Sequence, residues 1–532
     1  MEEDGRVEEQ LYFEYVALNL SSPPRVTRVS RPSEALDLLD AKRFDLIIMM
    51  PGIDLSETFS GAKKIKELYP DIPIVVLTPF SKEVSRRLAK EDLTAVDYVF
   101  SWLGNVDLLL AIIKLLEDKM NADNDINEVG VQMILLVEDS VRFYSSVLPI
   151  IYKFLLKQSL IFSTEALNEH EQMLRMRGRP KVMLARDYEE AVELYRLYGK
   201  NVLGVISDVS FKHGGVKDPH AGLELAAYLR EKDPYLPIIM ESSEEENAPK
   251  VKAFGGVFID KNSKKIGVDL RRLVRRHFGF GDFVFLDPNT MEEVARIKNL
   301  KDLQNNIFTL PKESLLYHIT HNNVSRWLCS RALFPISEFL KHITWDSLQD
   351  VDAHRQIIYD AIVSYRRMKN QGVVAVFHRD RFDRFSNFAR IGEGSLGGKG
   401  RGLAFLDHII KQHPELNAFD NADVMIPKTV VLCTDIFDEF MDTNELYQIA
   451  LSDIPDEEIL RAFLQARLPE RLIGDLEAYL DVVRQPIAIR SSSLLEDAHY
   501  QPFAGIYSTY MIPYVAVSYT HLRAHETLAN LV

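Results

Sequence analysis

Cysteine is nearly absent: Cys329 and Cys433 are the two in 532 residues. That excludes a disulfide framework and fits a reducing cytosol. Neither has a second cysteine or a histidine at zinc-binding spacing, so both read as buried small apolar side chains. Excess basic charge is also missing. Lys+Arg is 63 and Asp+Glu 78, a net charge of −15. A general nucleic-acid binder needs a basic face, so the acidic balance argues against that class. No apolar run reaches the ~18 residues of a membrane span; the best, Leu108–Leu116, is broken by Lys114. The acidic start, MEEDGRVEEQ, is not a signal peptide. These absences lead to the expectation of a cytoplasmic protein with neither membrane nor nucleic-acid partners. What is present is ordinary for globular chains: 46% apolar and 27% charged residues. At roughly 100–200 residues per domain, three or four domains are expected.

Residues 1–120 alternate helical and strand patterns. Short strands are expected at Val26–Val29, Leu46–Met50, Ile74–Thr78 and Tyr98–Phe100, with a closing helix through Val106, Leu109, Leu110, Ile113 and Leu116. Such alternation predicts a doubly wound parallel sheet. FDLIIMMPGID and PIVVLTPF, with this element spacing, resemble a response-regulator receiver domain. The phosphoacceptor aspartate would fall at Met49 or Met50, and the receiver lysine at Ser101 or Trp102. Of the polar site residues Thr78 alone matches. Methionine has no carboxylate to act as nucleophile, so the segment reads as a degenerate pseudo-receiver. It also opens directly into a helix, without the strand and acidic pair that begin a receiver. A sheet lacking that central strand would leave backbone groups unpaired, so the true start is expected upstream of Met1.

Residues 121–130, NADNDINEVG, are polar and read as a linker. Residues 131–279 then deliver a full set of polar groups at strand ends. Ile134–Val137 precedes Glu138 and Asp139, and Val202–Ser207 precedes Asp208. Pro237–Met240 precedes Ser242, and Val257–Ile259 precedes Lys261. Glu138, Asp139 and Asp208 make a hard oxygen site for Mg²⁺. This is the receiver pattern in register. The resemblance implies Asp208 as phosphoacceptor, Ser242 as switch hydroxyl and Lys261 as charge partner of the transferred oxygens. A sensor histidine kinase or other phosphodonor is the implied partner. The stretch between the first helix and Lys181 is longer than usual and reads as a helical hairpin. KHGGVKDPHA (212–221) is similar to a phosphohistidine signature, but His220 is one residue too far along, so loop glycines are the reading preferred.

Residues 280–388 read as a helical connector containing Trp327 and Trp345, with no chemistry of its own. IGEGSLGGKGRG (391–402) then opens into an apolar-periodic helix. Such a loop lets backbone N–H groups approach a phosphate at a helix N-terminus. It is not a P-loop: the first-glycine position holds Glu393, and Gly400 follows Lys399. Downstream, Pro486–Ile489 delivers Arg490, Ser491, Ser492 and Ser493, followed by Glu496, Asp497 and QPFAGIYST, with IPKTVVLCT (426–434) between. In this order the set resembles the nucleotide-binding region of phosphoenolpyruvate synthase and pyruvate phosphate dikinase. The resemblance covers about 390–515. It implies a partial α+β ATP-grasp domain over 389–515 that uses ATP and Mg²⁺. Lys399 and Arg490 would hold the ATP phosphates, with Gly397, Gly398, Gly400, Ser491 and Ser492 lining the site.

The last residues, 516–532, break the preceding pattern. One synonymous coding of Ala516–Thr527 matches a widely used transposase sequencing adapter. The tail is therefore expected to be adapter-derived, and the ligand-like spacing of His521, His525 and Glu526 is set aside. The expected architecture is an α/β multidomain chain. It comprises two flavodoxin-like receiver sheets, a helical connector and a partial ATP-grasp domain. The resemblance implies a parent phosphotransferase acting on pyruvate or phosphoenolpyruvate and tuned by its receiver, with this stretch of chain inactive alone. A non-catalytic phosphorelay or nucleotide-binding adaptor, and a dikinase with another acceptor, remain open, as does a homodimer.

Overall fold

The computed structural model describes residues 7–51, 55–79, 93–102, 104–343, 351–419, 421–493 and 507–514. Trp345, Glu496, Asp497, QPFAG (501–505) and the tail lie outside the described residues. The chain divides into two units. The first comprises 1–165, 173–298 and 309–351, and the second 166–172, 299–308 and 352–532. The stretch 280–388 is thus shared between them.

The first unit contains two parallel sheets. One has three strands in the order β1 (Ile47–Met49), β2 (Ile74–Pro79), β3 (Tyr98–Trp102). Ile74, Val75, Val76 and Leu77 are fully buried, as a strand covered on both faces requires. Val26–Val29 is not a strand; it is exposed, because its two valines flank polar residues and have no core face to join. The outer edge of β3 is covered by the helix Val141–Ser163. There the Ser101 N–H donates to Ser145 Oγ at 2.9 Å, and the Tyr144 hydroxyl donates to the Val99 carbonyl. Covering an edge in this way removes a site for unwanted strand pairing.

The larger sheet contains β4 (Met133–Val137), β5 (Lys181–Ala185), β6 (Val202–Asp208), β9 (Ile238–Ser242) and β10 (Val257–Asp260). A small hairpin, β7 (Phe211–His213) and β8 (Val216–Asp218), follows β6 outside the sheet. The five strands are parallel, in the order β10-β9-β6-β4-β5. Counted within the sheet this is 2-1-3-4-5, a doubly wound order whose crevice opens at the carboxyl ends of the strands. One face is packed by apolar side chains of Val106–Ala122, Val141–Ser163 and Ile266–His277. Tyr188–Tyr198, Ala221–Lys232 and Val251 cover the other. The first of these clusters also includes Val75, Leu77 and Phe100, so the two sheets share a core.

Two sequence expectations change here. Residues 121–130, which read as a polar linker, are largely helical. The helix Val106–Ala122 continues as a π-helix over Asp123–Glu128, and Ala122 and Ile126 are buried. Its polar groups are bonded inward: Asp125 pairs with Lys181 at 2.6 Å, and Tyr198 donates to Asp123 at 2.7 Å. Composition alone cannot distinguish solvated polar groups from paired ones. The second change concerns Val141–Ser163, which is long and apolar enough to cross a membrane by length and hydropathy, although 61% of its most apolar window is buried. Lys153 and Lys157 interrupt any continuous apolar run, which is why a run-length criterion passes over it. Around it, Phe154 and Phe280 meet edge to face at 5.3 Å.

The connector begins with an antiparallel hairpin, β11 (Phe283–Leu286) and β12 (Glu293–Ile297), before its helices. Trp327 is buried and donates its indole N–H to the Gly281 carbonyl at 3.0 Å. Cys329 is buried as well, and burial pushes its thiol pKa up, away from the reactive thiolate. In the second unit, β13 (Ala375–Val376), β14 (Phe388–Ile391) and β15 (Thr429–Leu432) form a parallel sheet. A separate antiparallel pair joins β16 (Ile487–Ile489) to β17 (Tyr510–Ile512). The helix Gly397–Gln412 follows β14 through the glycine-rich loop.

Asp118 anchors the helix Val106–Ala122 to the edge strand β5. Its fully buried carboxylate accepts from Arg179 at 2.6 Å, Tyr152 at 2.9 Å and the Val182 N–H at 3.0 Å. Removing one partner of a buried pair leaves an uncompensated charge. Asp118→Ala is expected to destabilise the first unit by about 3–5 kcal/mol. Urea unfolding followed by tryptophan fluorescence checks this; an unchanged midpoint would remove the anchoring role.

Candidate functional site

The strands of the five-stranded sheet end together, and polar residues appear where the apolar runs stop. Alternation puts Leu136 and Glu138, Ile206 and Asp208, and Ile239 and Glu241 on one face. Lys261 follows β10 beside them. Its ammonium lies 2.6 Å from Glu138 Oε2 and 2.8 Å from Asp208 Oδ2, and 4.2 Å from the centre of the Phe143 ring. Oxygens of Glu138, Asp139 and Asp208 lie within 4.8 Å of one another. The structure thus brings together Glu138, Asp139, Asp208 and Lys261, four of the five residues chosen from sequence. The fifth, Ser242, is buried at the end of β9, where its Oγ accepts from the Glu244 N–H at 3.1 Å and Asn247 Nδ2 at 3.0 Å.

Burial governs the charge states. It pushes the Glu138 pKa up to about 7; Lys261 opposes the shift and Asp208 reinforces it. The Ser140 N–H, at 2.9 Å, stabilises the ionised form of Glu138. Burial disfavours the Lys261 ammonium too, but Glu138 and Asp208 outweigh it and hold that pKa above its ordinary value. Three clustered carboxylates of this kind suit a hard divalent cation such as Mg²⁺.

Two residues not selected from sequence belong to this site. Lys217, on the hairpin after Asp208, holds Asp139 at 2.8 Å and donates to the Ser210 carbonyl at 2.7 Å. Glu241 is fully buried, and neither carboxylate oxygen has a hydrogen-bond partner among the described residues. A signal for Glu241 was available: an acid following PIIM interrupts a strand otherwise apolar on both faces. Lys217 gave none, because the fold of the hairpin brings it to Asp139.

In the second unit, the glycine-rich loop meets the serine run that follows β16. The Gly398 N–H donates to the Ser492 carbonyl at 2.8 Å, and the Gly400 N–H to Ser492 Oγ at 2.9 Å. Lys399 Nζ donates to the Ser491 carbonyl at 3.1 Å. Ser492 Oγ donates onward to the Leu396 carbonyl at 2.7 Å. Gly397 has φ +71°, and a Cβ there would lie 1.6 Å from the Ser492 carbonyl oxygen. That position therefore requires glycine for both its conformation and its close approach. The upstream part of the loop is fixed by Asp435, which accepts from the Glu393 and Gly394 N–H groups at 3.0 and 2.8 Å. Arg490 is exposed. The structure thus joins Lys399 to Ser491, and the neighbouring loop glycines to Ser492. It uses the N–H groups of Gly398 and Gly400 to hold Ser492, rather than leaving them open at the helix start.

Residues 393–526 match the family model of the pyruvate phosphate dikinase AMP/ATP-binding domain, about a quarter of the chain. The matched stretch begins in the glycine-rich loop, includes the Lys399–Ser491 contact and ends within the tail. No curated protein gives a significant match.

Burial pushes the Glu241 carboxyl up to about 8 from 4.5, with Lys261 opposing and Glu138 and Asp208 reinforcing. A raised acid is neutral in the folded state while the unfolded chain ionises. Its contribution to stability is present below about 4.5 and lost as pH rises towards about 8. Glu241→Gln keeps the neutral shape. The variant is expected to remove a pH-dependent loss of up to about 1.4 kcal/mol per pH unit across that window. Urea midpoints at pH 5 and pH 8 measure it; parallel pH dependences in the two proteins would place the titration elsewhere.

Proposed function

We propose that this chain carries the nucleotide-binding region of an ATP-dependent phosphotransferase resembling phosphoenolpyruvate synthase or pyruvate phosphate dikinase, joined to a receiver that regulates it. The observation that carries the reading is the coincidence of the family match with the contact between Lys399 and Ser491. Lys399 and Arg490 supply cations for the polyphosphate of ATP, since phosphoryl transfer requires positive charge around the moving oxygens. The start of the helix Gly397–Gln412 adds its positive end. Pyruvate is the acceptor favoured by the resemblance.

Support for the regulatory part comes from the 2-1-3-4-5 sheet order and the acid–lysine cluster at its carboxyl end. In this reading an Asp208 oxygen attacks the phosphorus of a phosphodonor. The bond from phosphorus to the donor's leaving atom breaks, that atom being an imidazole nitrogen of a phosphohistidine or a carboxylate oxygen of acetyl phosphate, and the donor departs with the bonding electron pair. Lys261, already 2.8 Å from Asp208, stays beside the new acyl phosphate and balances part of its charge. Ser242 supplies a hydroxyl at the end of the neighbouring strand. Glu138, Asp139 and Asp208 would hold Mg²⁺, which when bound neutralises charge on the transferred oxygens. The first sheet, with methionine at the acceptor position, has a packing role through the shared core.

Acetyl phosphate with Mg²⁺ is expected to add one phosphoryl group to the wild-type chain and none to Asp208→Asn, read by intact mass. Equal labelling of both would move the acceptor elsewhere. For the nucleotide site, Lys399→Ala or Arg490→Ala in the parent enzyme is expected to weaken ATP binding about tenfold or more by calorimetry, the scale of one lost charge-assisted contact. Unchanged affinity in both variants would argue against the ATP-grasp assignment.

A further inference from the structure

The hairpin that follows Asp208 carries a second group of metal-ligating side chains. His213, Asp218 and Glu224 each present a ligand atom, and these lie within 4.8 Å of one another. His213 Nδ1 is 3.2 Å from Glu224 Oε2 and 3.8 Å from Asp218 Oδ2. The second oxygen of Asp218 accepts the His220 N–H at 2.8 Å, which orients the carboxylate. The imidazole stacks on Tyr188, with ring centres 4.1 Å apart and planes 20° from parallel. His213 and Asp218 are therefore oriented by neighbours outside the cluster.

Their placement follows from the hairpin. Gly214 and Gly215 take φ values of +61° and +79°, the left-handed pair that a tight two-residue turn needs. Pairing of Phe211 with Asp218, Lys212 with Lys217 and His213 with Val216 then sets the faces. His213 and Asp218 share one face, and Lys217 lies on the other. Glu224 reaches the first face from the first turn of Ala221–Lys232. One hairpin thus directs His213 and Asp218 to one side and, on the other, the lysine that holds Asp139.

We propose that His213, Asp218 and Glu224 bind a transition-metal dication of the zinc type. One imidazole and two carboxylates form a nitrogen–oxygen donor set suited to such ions, in contrast to the all-oxygen set at Glu138, Asp139 and Asp208. The donors come from β7, β8 and the following helix, so a bound ion clips the hairpin to the helix. That clip steadies the strand that presents Lys217 to Asp139. The site is chemically separate from the proposed phosphoacceptor and stands whether or not Asp208 is phosphorylated.

The test is titration of the full chain with Co²⁺, read by its visible d–d absorption, followed by competition with Zn²⁺. Saturable Co²⁺ bands that Zn²⁺ removes are expected. His213→Ala and the milder Glu224→Gln should each weaken binding about tenfold or more, with circular dichroism confirming the fold. Asp208→Asn should leave these bands unchanged. Zn²⁺ should also slow hydrogen exchange at residues 211–218. Absence of the bands overturns the proposal. So does their persistence in both cluster variants, or their loss in Asp208→Asn.

Discussion

The strands β4 and β5 are buried along their whole length, and a parallel sheet buried on both faces governs most of what surrounds it. Its faces admit apolar side chains, so helices must cover both. Its edges expose backbone groups, so something must cover those as well. Val106–Ala122 does so at β5 through Asp118, and Val141–Ser163 does so at β3 of the smaller sheet through Tyr144 and Ser145. The same two helices pack against each other within a common core, which makes the two sheets one body.

The constraint also explains where charge appears. Charged groups enter the sheet where strands end, and there they are taken up in pairs. Lys261 bridges Glu138 and Asp208, while Lys217 holds Asp139. Glu241 is the exception, since burial keeps its carboxyl largely neutral instead of pairing it. The charge of the cluster is therefore set jointly by its carboxylates and its two lysines. In the second unit the corresponding constraint is close approach. Gly397 lets the helix start come against Ser492, bringing Lys399 to Ser491, over ninety residues later in the chain.

Much of this was legible in the sequence. The apolar runs ending in Glu138, Asp208, Ser242 and Lys261 located both the strands and the polar residues that gather at their ends, since a buried strand must be apolar and its end need not be. GGKG and RSSS marked two stretches that the fold joins. The failures have physical causes too. Val26–Val29 has strand propensity but no face to bury, so propensity alone was insufficient. NADNDINEVG has the composition of a linker, yet its polar groups are paired and its Ile126 is buried. Val141–Ser163 is an apolar helix whose lysines hide its overall hydropathy from a search for uninterrupted runs.

What the sequence determined by itself was local: which stretches form strands, which residue types stand at their ends, and where glycine permits close approach. Those depend on periodicity and on the preferences of a few neighbouring residues. Tertiary structure alone decided the partners. It selected Lys217 for Asp139, Arg179 for Asp118 and Ser492 for the N–H groups of Gly398 and Gly400. It also isolated Glu241 and set His213 beside Glu224. Each of these outcomes depends on burial and on distances between distant segments, and such distances exist only once the sheets are packed.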